Sequence, residues 1–315
     1  MATRDPLNGK LVLLLGGSGF LGTHIAQQLL TRGARLRLAS RHPEKAFKLK
    51  PLGNLGQIQF ARCNVATGYN LDAVMAGVDA VVYLPGSFKG DLAALHVRGA
   101  GDAAAAAKAA GAESFVLVSA LGADAEADAS YARTKAQGEQ AVLAAFPTAT
   151  VMRPSVLFAE DDNFINMFAG LIAALPVLPV FGPDAQLQPL WVDDAAEAIA
   201  NALAAPALHG GKTYEIAGPE MLTMGEINRR IAASQGRQPL FLDMPDGLSG
   251  LFAALPGTPM NSDQWKLLKA GSTPSGKLPG IAALGVTPRP LELFLDRWML
   301  RYRKHGRFGT RTSAG

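Results

Sequence analysis

Leu11-Val12-Leu13-Leu14-Leu15-Gly16-Gly17-Ser18-Gly19-Phe20-Leu21-Gly22 decides the fold of this chain. Five consecutive apolar residues show no polar alternation, the pattern of a strand buried on both faces of a parallel sheet. Glycines follow at once, and His24 to Leu30 then reads as a helix. In such a strand–turn–helix each glycine has a separate task. Gly16 permits the tight turn, Gly19 lets the backbone approach a pyrophosphate, and Gly22 lets the helix lie close on the sheet. Ser18, Phe20 and Leu21 share this segment, where free N–H groups and the helix dipole suit phosphate. A glycine-rich turn without a ligand is the competing reading; the agreement of strand, turn and helix favours a dinucleotide site.

The next strand, Arg35 to Ser40, ends where a ribose-reading side chain sits, about twenty residues beyond the glycines. An acid there would accept from a ribose 2′-hydroxyl. This chain offers Ser40 and Arg41 instead, and Arg matches a 2′-phosphate through charge-assisted hydrogen bonds. NADP(H) is expected over NAD(H), the alternative being that Arg41 is a solvated charge near Glu44.

A second motif is Tyr131-Ala132-Arg133-Thr134-Lys135. Residues four apart share a helix face, and the sequence is helix-compatible from Tyr131 to Ala145. A phenol with an ordinary pKa near ~10 becomes an acid–base group only if a neighbouring ammonium favours the phenolate. Lys135 would supply that charge and could also bond a nicotinamide ribose. Y-x-x-x-K alone fits any half-exposed helix; its place just beyond the apolar run Phe115 to Ser119 favours the functional reading.

Further segments complete a pattern: Val118-Ser119-Ala120-Leu121-Gly122-Ala123, Tyr131 through Glu139, Arg153-Pro154-Ser155-Val156-Leu157-Phe158, Gln188 through Ala195, Tyr214 through Pro219, and Gly285 through Glu292. With the glycine motif, these resemble the extended, atypical branch of the short-chain dehydrogenase/reductase superfamily over nearly the whole chain. More narrowly, the chain is similar to the family of the NADPH-binding accessory subunit of mitochondrial complex I and its bacterial relatives. The resemblance implies an α/β fold, a Rossmann-type doubly wound parallel sheet with a smaller, interleaved C-terminal substrate lobe. It implies Asn64 and Val65 beside the adenine, Leu84, Pro85 and Gly86 beside the nicotinamide-side ribose, and the backbone of Arg153, Pro154 and Ser155 near the carboxamide. Ser119, Tyr131 and Lys135 become candidate catalytic residues that also touch the cofactor. One departure bears on mechanism: active extended members resemble one another in carrying a Ser or Thr two positions beyond Ser119, where this chain has Leu121. A missing donor removes electrophilic assistance, so the cofactor site reads as intact and the catalytic set as incomplete.

Strands are expected near 11–15, 35–40, 57–62, 79–84, 114–119 and 149–153, alternating with helices such as the alanine-rich Leu92 to Ala110. A late strand near 213–217 is expected to rejoin the sheet. This divides the chain into an NADP(H)-binding domain at 1–155, a smaller substrate or partner lobe at 156–296 broken by prolines, and a basic tail at 297–315.

With 315 residues, 49% hydrophobic and 18% charged, the chain has ample material for a large core. The lone Cys63 excludes an intramolecular disulfide framework and fits a reducing cytoplasm. Met1 to Asn8 reads as neither a secretory signal nor an import leader, so a cytoplasmic protein, peripheral at the inner membrane, is expected. His24, His42, His96, His209 and His305 lack zinc-site spacing and read as packing or surface residues, so no metal is expected.

Net charge is +4, yet six basic residues and no acidic one occur from Arg297 onward. With Trp298, Met299, Leu300, Tyr302 and Phe308 interleaved, this tail fits an anionic membrane surface or a respiratory or quinone-handling membrane complex, the alternative being a solvated terminus. No recognition motif accompanies the charge, so nucleic acid is not expected. Two functions remain. One is an accessory protein with a structural or redox-sensing nucleotide. The other is a working NADPH-dependent oxidoreductase or epimerase-type enzyme on a lipid-soluble carbonyl, quinone or isoprenoid. The apolar residues Leu240-Phe241-Leu242, Leu248 and Leu251 to Leu255 suit a greasy substrate or a partner surface alike.

Overall fold

A computed structural model describes residues 5–254 and 260–303. Its central feature is a seven-stranded sheet, parallel at every pairing. The first six strands in chain order are β1 (Leu11–Leu15), β2 (Arg35–Ser40), β3 (Ile58–Arg62), β4 (Ala80–Tyr83), β5 (Ser114–Val118) and β6 (Thr150–Pro154). The spatial order is β3-β2-β1-β4-β5-β6, with Thr213–Ile216 adding beyond β6. The winding reverses between β1 and β4, so the loops after these two strands part and leave a crevice at their carboxyl ends.

Every residue of β1, β4 and β5 is buried, which explains their unbroken apolar runs. Each fully buried Leu of β1 contributes roughly 1.5–3 kcal/mol, so this layer holds the two loops of the crevice at fixed positions. Helix α1 (Phe20–Thr31) follows β1, and α2 (Leu71–Met75) precedes β4. Helix α3 (Gly99–Ala109) buries Ala100, Ala103, Ala104 and Ala107, a one-sided set whose small side chains permit close packing. Helix α4 (Ser130–Ala145) carries the Tyr131 motif, and a Cβ on Gly101 of α3 would lie 3.3 Å from Ala141 Cβ of α4.

The expected single helix Leu92 to Ala110 instead opens with a π-helical turn, Ala94–Arg98. Its wider coil turns two carbonyls outward: Leu95 O accepts from Tyr83 OH at 2.5 Å, and His96 O faces α4 at Gly138.

The described residues fall into two compact units. The first comprises residues 5–155, 192–217 and 274–288, so the chain leaves and re-enters it and the units alternate along the sequence. Within it, helix Val192–Ala204 begins with Asp193 and Asp194, and Asp193 Oδ1 lies 2.6 Å from His24 Nδ1 of α1.

The second unit contains three two-stranded ribbons, pairing Leu190–Trp191 with Leu157–Phe158, Leu222–Thr223 with Gln186–Leu187, and Leu240–Met244 with Val177–Phe181. Leu240, Leu242, Leu248 and Leu251 are exposed on it. The basic–aromatic stretch, read as a tail for an anionic surface or as a solvated terminus, packs onto this unit as far as Arg303. Trp298 and Met299 are buried, and Trp298 stacks on Phe294 at 5.0 Å. Arg301 donates to Glu160 O at 2.6 Å and to Asn166 Oδ1, while Arg303 donates to Ser234 O at 2.9 Å. Burying the aromatic faces draws the guanidinium stems down onto the unit, where carbonyl oxygens accept their heads. Lys304, His305, Arg307, Phe308 and Arg311 lie outside the described residues. No helix among the described residues is long and apolar enough to cross a membrane.

Candidate functional site

The loop after β1 has the shape its glycines require. Gly16 sits at φ +82°, in the left-handed region that disfavours a side chain. A Cβ on Gly22 would lie 2.8 Å from Gly17 Cα and 2.9 Å from Gly17 C, so only glycine lets α1 start against the turn. Gly17, which the motif reading leaves without a task, is constrained as tightly: its Cβ would lie 2.8 Å from Leu14 Cβ. Gly19 caps α1 with no side-chain hydrogen bond, and no acidic residue occupies the first turn. Those first N–H groups therefore suit an anion.

A cavity of about 450 Å³ opens over this turn, lined by every expected cofactor residue from Gly16 to Gly86. That set is Gly16, Ser18, Gly19, Phe20, Leu21, Gly22, Ser40, Arg41, Asn64, Val65, Leu84, Pro85 and Gly86. Ser18 Oγ donates to Ser40 Oγ at 2.9 Å, joining the glycine loop to the end of β2. Asn64 Oδ1 accepts from Ala66 N–H at 3.2 Å, which holds the loop after β3. A second cavity of about 520 Å³ adjoins the first through Arg41, His42, Cys63 and Asn64, and adds Arg62 and Tyr69. Lys45 lines the first cavity, and no carboxylate lines either. Glu44 pairs with His42 at 3.2 Å. Burial pushes the Cys63 thiol up to about 11, so it is an inert wall rather than a nucleophile. The residues present thus fit a dinucleotide: a phosphate-sized cradle of backbone, cationic side chains at the β2–β3 end, and no opposing charge.

Tyr131 and Lys135 lie one turn apart on α4, and their heads converge. A Cβ on Gly86 would lie 3.5 Å from Lys135 Nζ and 3.7 Å from Tyr131 OH, which places both groups behind the loop that closes the first cavity. Lys135 Nζ donates to Val118 O at 2.9 Å and to Pro85 O at 3.4 Å. The expected phenolate is not favoured here. Burial pushes the Tyr131 phenol up to about 12 and lowers Lys135 to about 8, the latter against the pull of Glu139. Desolvation penalises both charged forms and is the largest cause for each. Phe88 stacks on Tyr131, with ring centroids 4.4 Å apart, and His96 meets it edge-on at 5.3 Å.

Ser119 Oγ is buried without a hydrogen-bond partner among the described residues. Leu121 is 7% exposed, and its N–H donates to Pro154 O at 3.0 Å, so the position at issue is filled by a packed apolar side chain. Arg153, Pro154 and Ser155 line neither cavity. The Arg153 guanidinium grips Glu139 through two bonds of 2.9 and 2.6 Å, and Ser155 N–H donates to Ile216 O. No cluster of three or more His, Cys, Asp or Glu residues that could hold a metal occurs among the described residues.

Sequence reasoning missed His96. Its Nδ1 lies 2.8 Å from Thr134 Oγ1, and its Nε2 accepts from Ser87 N–H at 3.2 Å. Nothing in the local sequence marks it, because both partners are distant along the chain. Arg62 and Lys45, which line the cavities, also went unnamed, because neither belongs to a motif.

Residues 16–166 match the NAD(P)H-binding family, and residues 124–245 match the RmlD substrate binding domain. Ceramide reductase of Caulobacter vibrioides is 30% identical across 75% of this chain and 74% of its own length. The chain belongs to the extended short-chain dehydrogenase/reductase family. It carries that family's nicotinamide-dinucleotide-binding domain. The mitochondrial NADH dehydrogenase (ubiquinone) 1 alpha subcomplex subunit 9 of Arabidopsis thaliana is 29% identical across 98% of this chain and 82% of its own length. Among solved structures, the Escherichia coli NADPH-dependent quinone oxidoreductase complexed with NADPH superposes with a TM-score of 0.72 at 20% identity, covering 91% of this chain and 99% of that one. A Staphylococcus aureus nucleoside-diphosphate-sugar epimerase gives 0.72 at 16% identity, covering 90% and 99%. At such identities these two proteins share the fold with this extended reductase-type chain.

Proposed function

We propose that this chain binds NADPH and holds it chiefly as a structural or redox-sensing group, with slow or no turnover, beside a respiratory membrane complex. The observation that carries this reading is Leu121, buried and packed where an active member presents a hydroxyl. When bound, NADPH supplies a hydride donor. The chain's own residues bind and orient: the glycine turn takes the pyrophosphate, Arg41 with Arg62 and Lys45 takes the 2′-phosphate, and Lys135 faces the ribose on the nicotinamide side. Similarity to the mitochondrial subunit motivates the partner. The basic stretch after Asp296, by its charge and with Lys304, Arg307 and Arg311 in its sequence, is the segment we assign to it, at the face of a membrane.

A working NADPH-dependent reductase on a lipid-soluble carbonyl, quinone or isoprenoid is the second reading. The convergence of Tyr131 OH and Lys135 Nζ on Gly86 favours it. Single-turnover NADPH oxidation against a panel of quinones and isoprenoid ketones separates the two. Loss of one preorganised donor costs a factor of ~10² to 10³, so the first reading expects a slow or absent reaction, and a fast saturable one establishes the second. Titration with NADPH and NADH tests the cofactor; equal affinities would reject the 2′-phosphate assignment.

A further inference from the structure

His96 is buried at 2% exposure on the π-helical turn Ala94–Arg98. A neutral imidazole has one donor nitrogen and one acceptor, and its neighbours decide which is which. The Ser87 amide can only donate, and it points at Nε2 from 3.2 Å, so Nε2 is the acceptor. Nδ1 therefore carries the proton and donates to Thr134 Oγ1 at 2.8 Å. The Thr134 hydroxyl passes its own proton toward Ser130 O at 2.8 Å. Three hydrogen bonds thus run from the turn after β4 to the first turn of α4, where Tyr131 O, at 3.2 Å, is a second acceptor within reach of the Thr134 hydroxyl.

The surroundings hold this chain in place. Ser87 Oγ closes its own turn through Lys89, donating to its carbonyl at 2.8 Å and accepting from its amide at 3.0 Å, which leaves the Ser87 amide for His96. Thr134 lies between Tyr131 and Lys135 on α4, and the imidazole edge meets the Tyr131 ring at 86°. A Cβ at Gly138 would lie 2.1 Å from His96 O, so α4 approaches the π-helical turn only because that residue is glycine. Burial, with the Lys135 charge adding to it, holds the imidazole down to about 4 and so keeps it neutral.

We propose that His96 is a positioning residue: as the neutral Nδ1–H tautomer it ties the Pro85-Gly86-Ser87 turn to the helix bearing Tyr131 and Lys135, and so sets the shape of the nicotinamide end of the cleft. This rests on the reading that the cleft takes NADPH with its nicotinamide toward Tyr131.

The test uses the full chain with two nucleotides, NADPH and 2′,5′-ADP, which has the adenosine half and no nicotinamide. Calorimetric titration is combined with amide hydrogen exchange across residues 84–89 in the nucleotide-free protein. His96→Phe is expected to lower NADPH affinity about tenfold, the scale of one orphaned buried donor, while 2′,5′-ADP affinity stays within about twofold and exchange at Ser87 rises. His96→Gln, which restores an acceptor, recovers Ser87 protection. Thr134→Val, which removes the Nδ1 partner at nearly constant volume, gives the same pattern as His96→Phe, smaller. Unchanged Ser87 exchange in His96→Phe overturns the proposal, and so does an equal loss of 2′,5′-ADP affinity in His96→Phe and Thr134→Val. If the unmodified chain binds neither nucleotide, the NADPH reading falls instead, and Ser87 exchange still decides the link.

Discussion

The glycine-turn end of the cleft, which we propose takes the phosphates, is made of backbone, whereas the Tyr131 end, behind the Pro85-Gly86 loop, is made of interlocked side chains. Gly16, Gly19 and Gly22 shape the first, and the first-turn amides of α1 face no acidic residue there. The second is assembled from Phe88, His96 and the α4 pair Tyr131 and Lys135, which come from three segments and touch or converge in the fold. A backbone site presents the same groups whatever surrounds it, because amides do not titrate. A side-chain site takes its chemistry from burial, and here burial moves Tyr131 and Lys135 toward their neutral forms. One end is therefore preorganised for binding; the other is held in a state that disfavours ionisation.

Acid offers the largest expected break between the ends. The folded-state pKa of His96 lies at about 4, below its unfolded value near 6.5, so the chain takes up a proton on unfolding. The neutral ring's contribution is fully present above about pH 6.5 and is lost as pH falls through that window toward about 4. Tyr131 and Lys135 face it from α4 and do not titrate between those values. Denaturant melts at pH 7 and pH 4.5 should show the unmodified protein losing about 3 kcal/mol at most beyond the loss in His96→Gln. Parallel losses in the two proteins would remove His96 from the account.

Gly22→Ala attacks the phosphate end. Its Cβ meets backbone at 2.8 Å, which no rotamer change relieves, and overpacking of this kind costs roughly 2 kcal/mol. Affinities for NADPH and 2′,5′-ADP should fall together in calorimetry, by about thirtyfold. A selective loss of NADPH alone would show that the two ends are not separable.

Arg41→Ala tests the 2′-phosphate. Removing one charge-assisted contact costs about 1.5 kcal/mol, so fluorescence titration should show NADPH binding weakened about tenfold and NADH binding unchanged. A residual preference for NADPH assigns the remainder to Arg62 and Lys45, which line the same two cavities.

The smallest effect on affinity belongs to Tyr131→Phe. NADPH binding should stay within about threefold, because the phosphate contacts lie elsewhere, while any turnover is abolished. Leu121→Ser is expected to raise turnover, and single-turnover absorbance decays measure both variants. Residual activity in Tyr131→Phe equal to that of the unmodified chain would exclude the phenol from the chemistry.

Much of the fold was legible because its determinants are local. Leu11 to Leu15 reads as a buried strand from apolar continuity alone, and Gly16 to Gly22 reads as a turn from backbone sterics. The π-helical turn was not legible, since alanine-rich sequence favours a regular helix and the departure follows from Tyr83 and Gly138, contributed by β4 and α4. Charge alone left the tail between an anionic surface and a solvated terminus; in the fold Trp298 and Met299 are buried in the second unit and bring Arg301 and Arg303 with them.

Residue type and spacing by themselves determined the order of strands and helices, the glycine turn after β1, and the pairing of Tyr131 with Lys135 on one helix face. These follow from periodicities and steric rules that act within a few residues. Tertiary structure alone decided that Arg153 is spent on Glu139, that His96 joins Ser87 to Thr134, and that Tyr131 and Lys135 are pressed toward neutrality. Each of these depends on which groups are brought together and how far water is excluded, and both are properties of the folded packing.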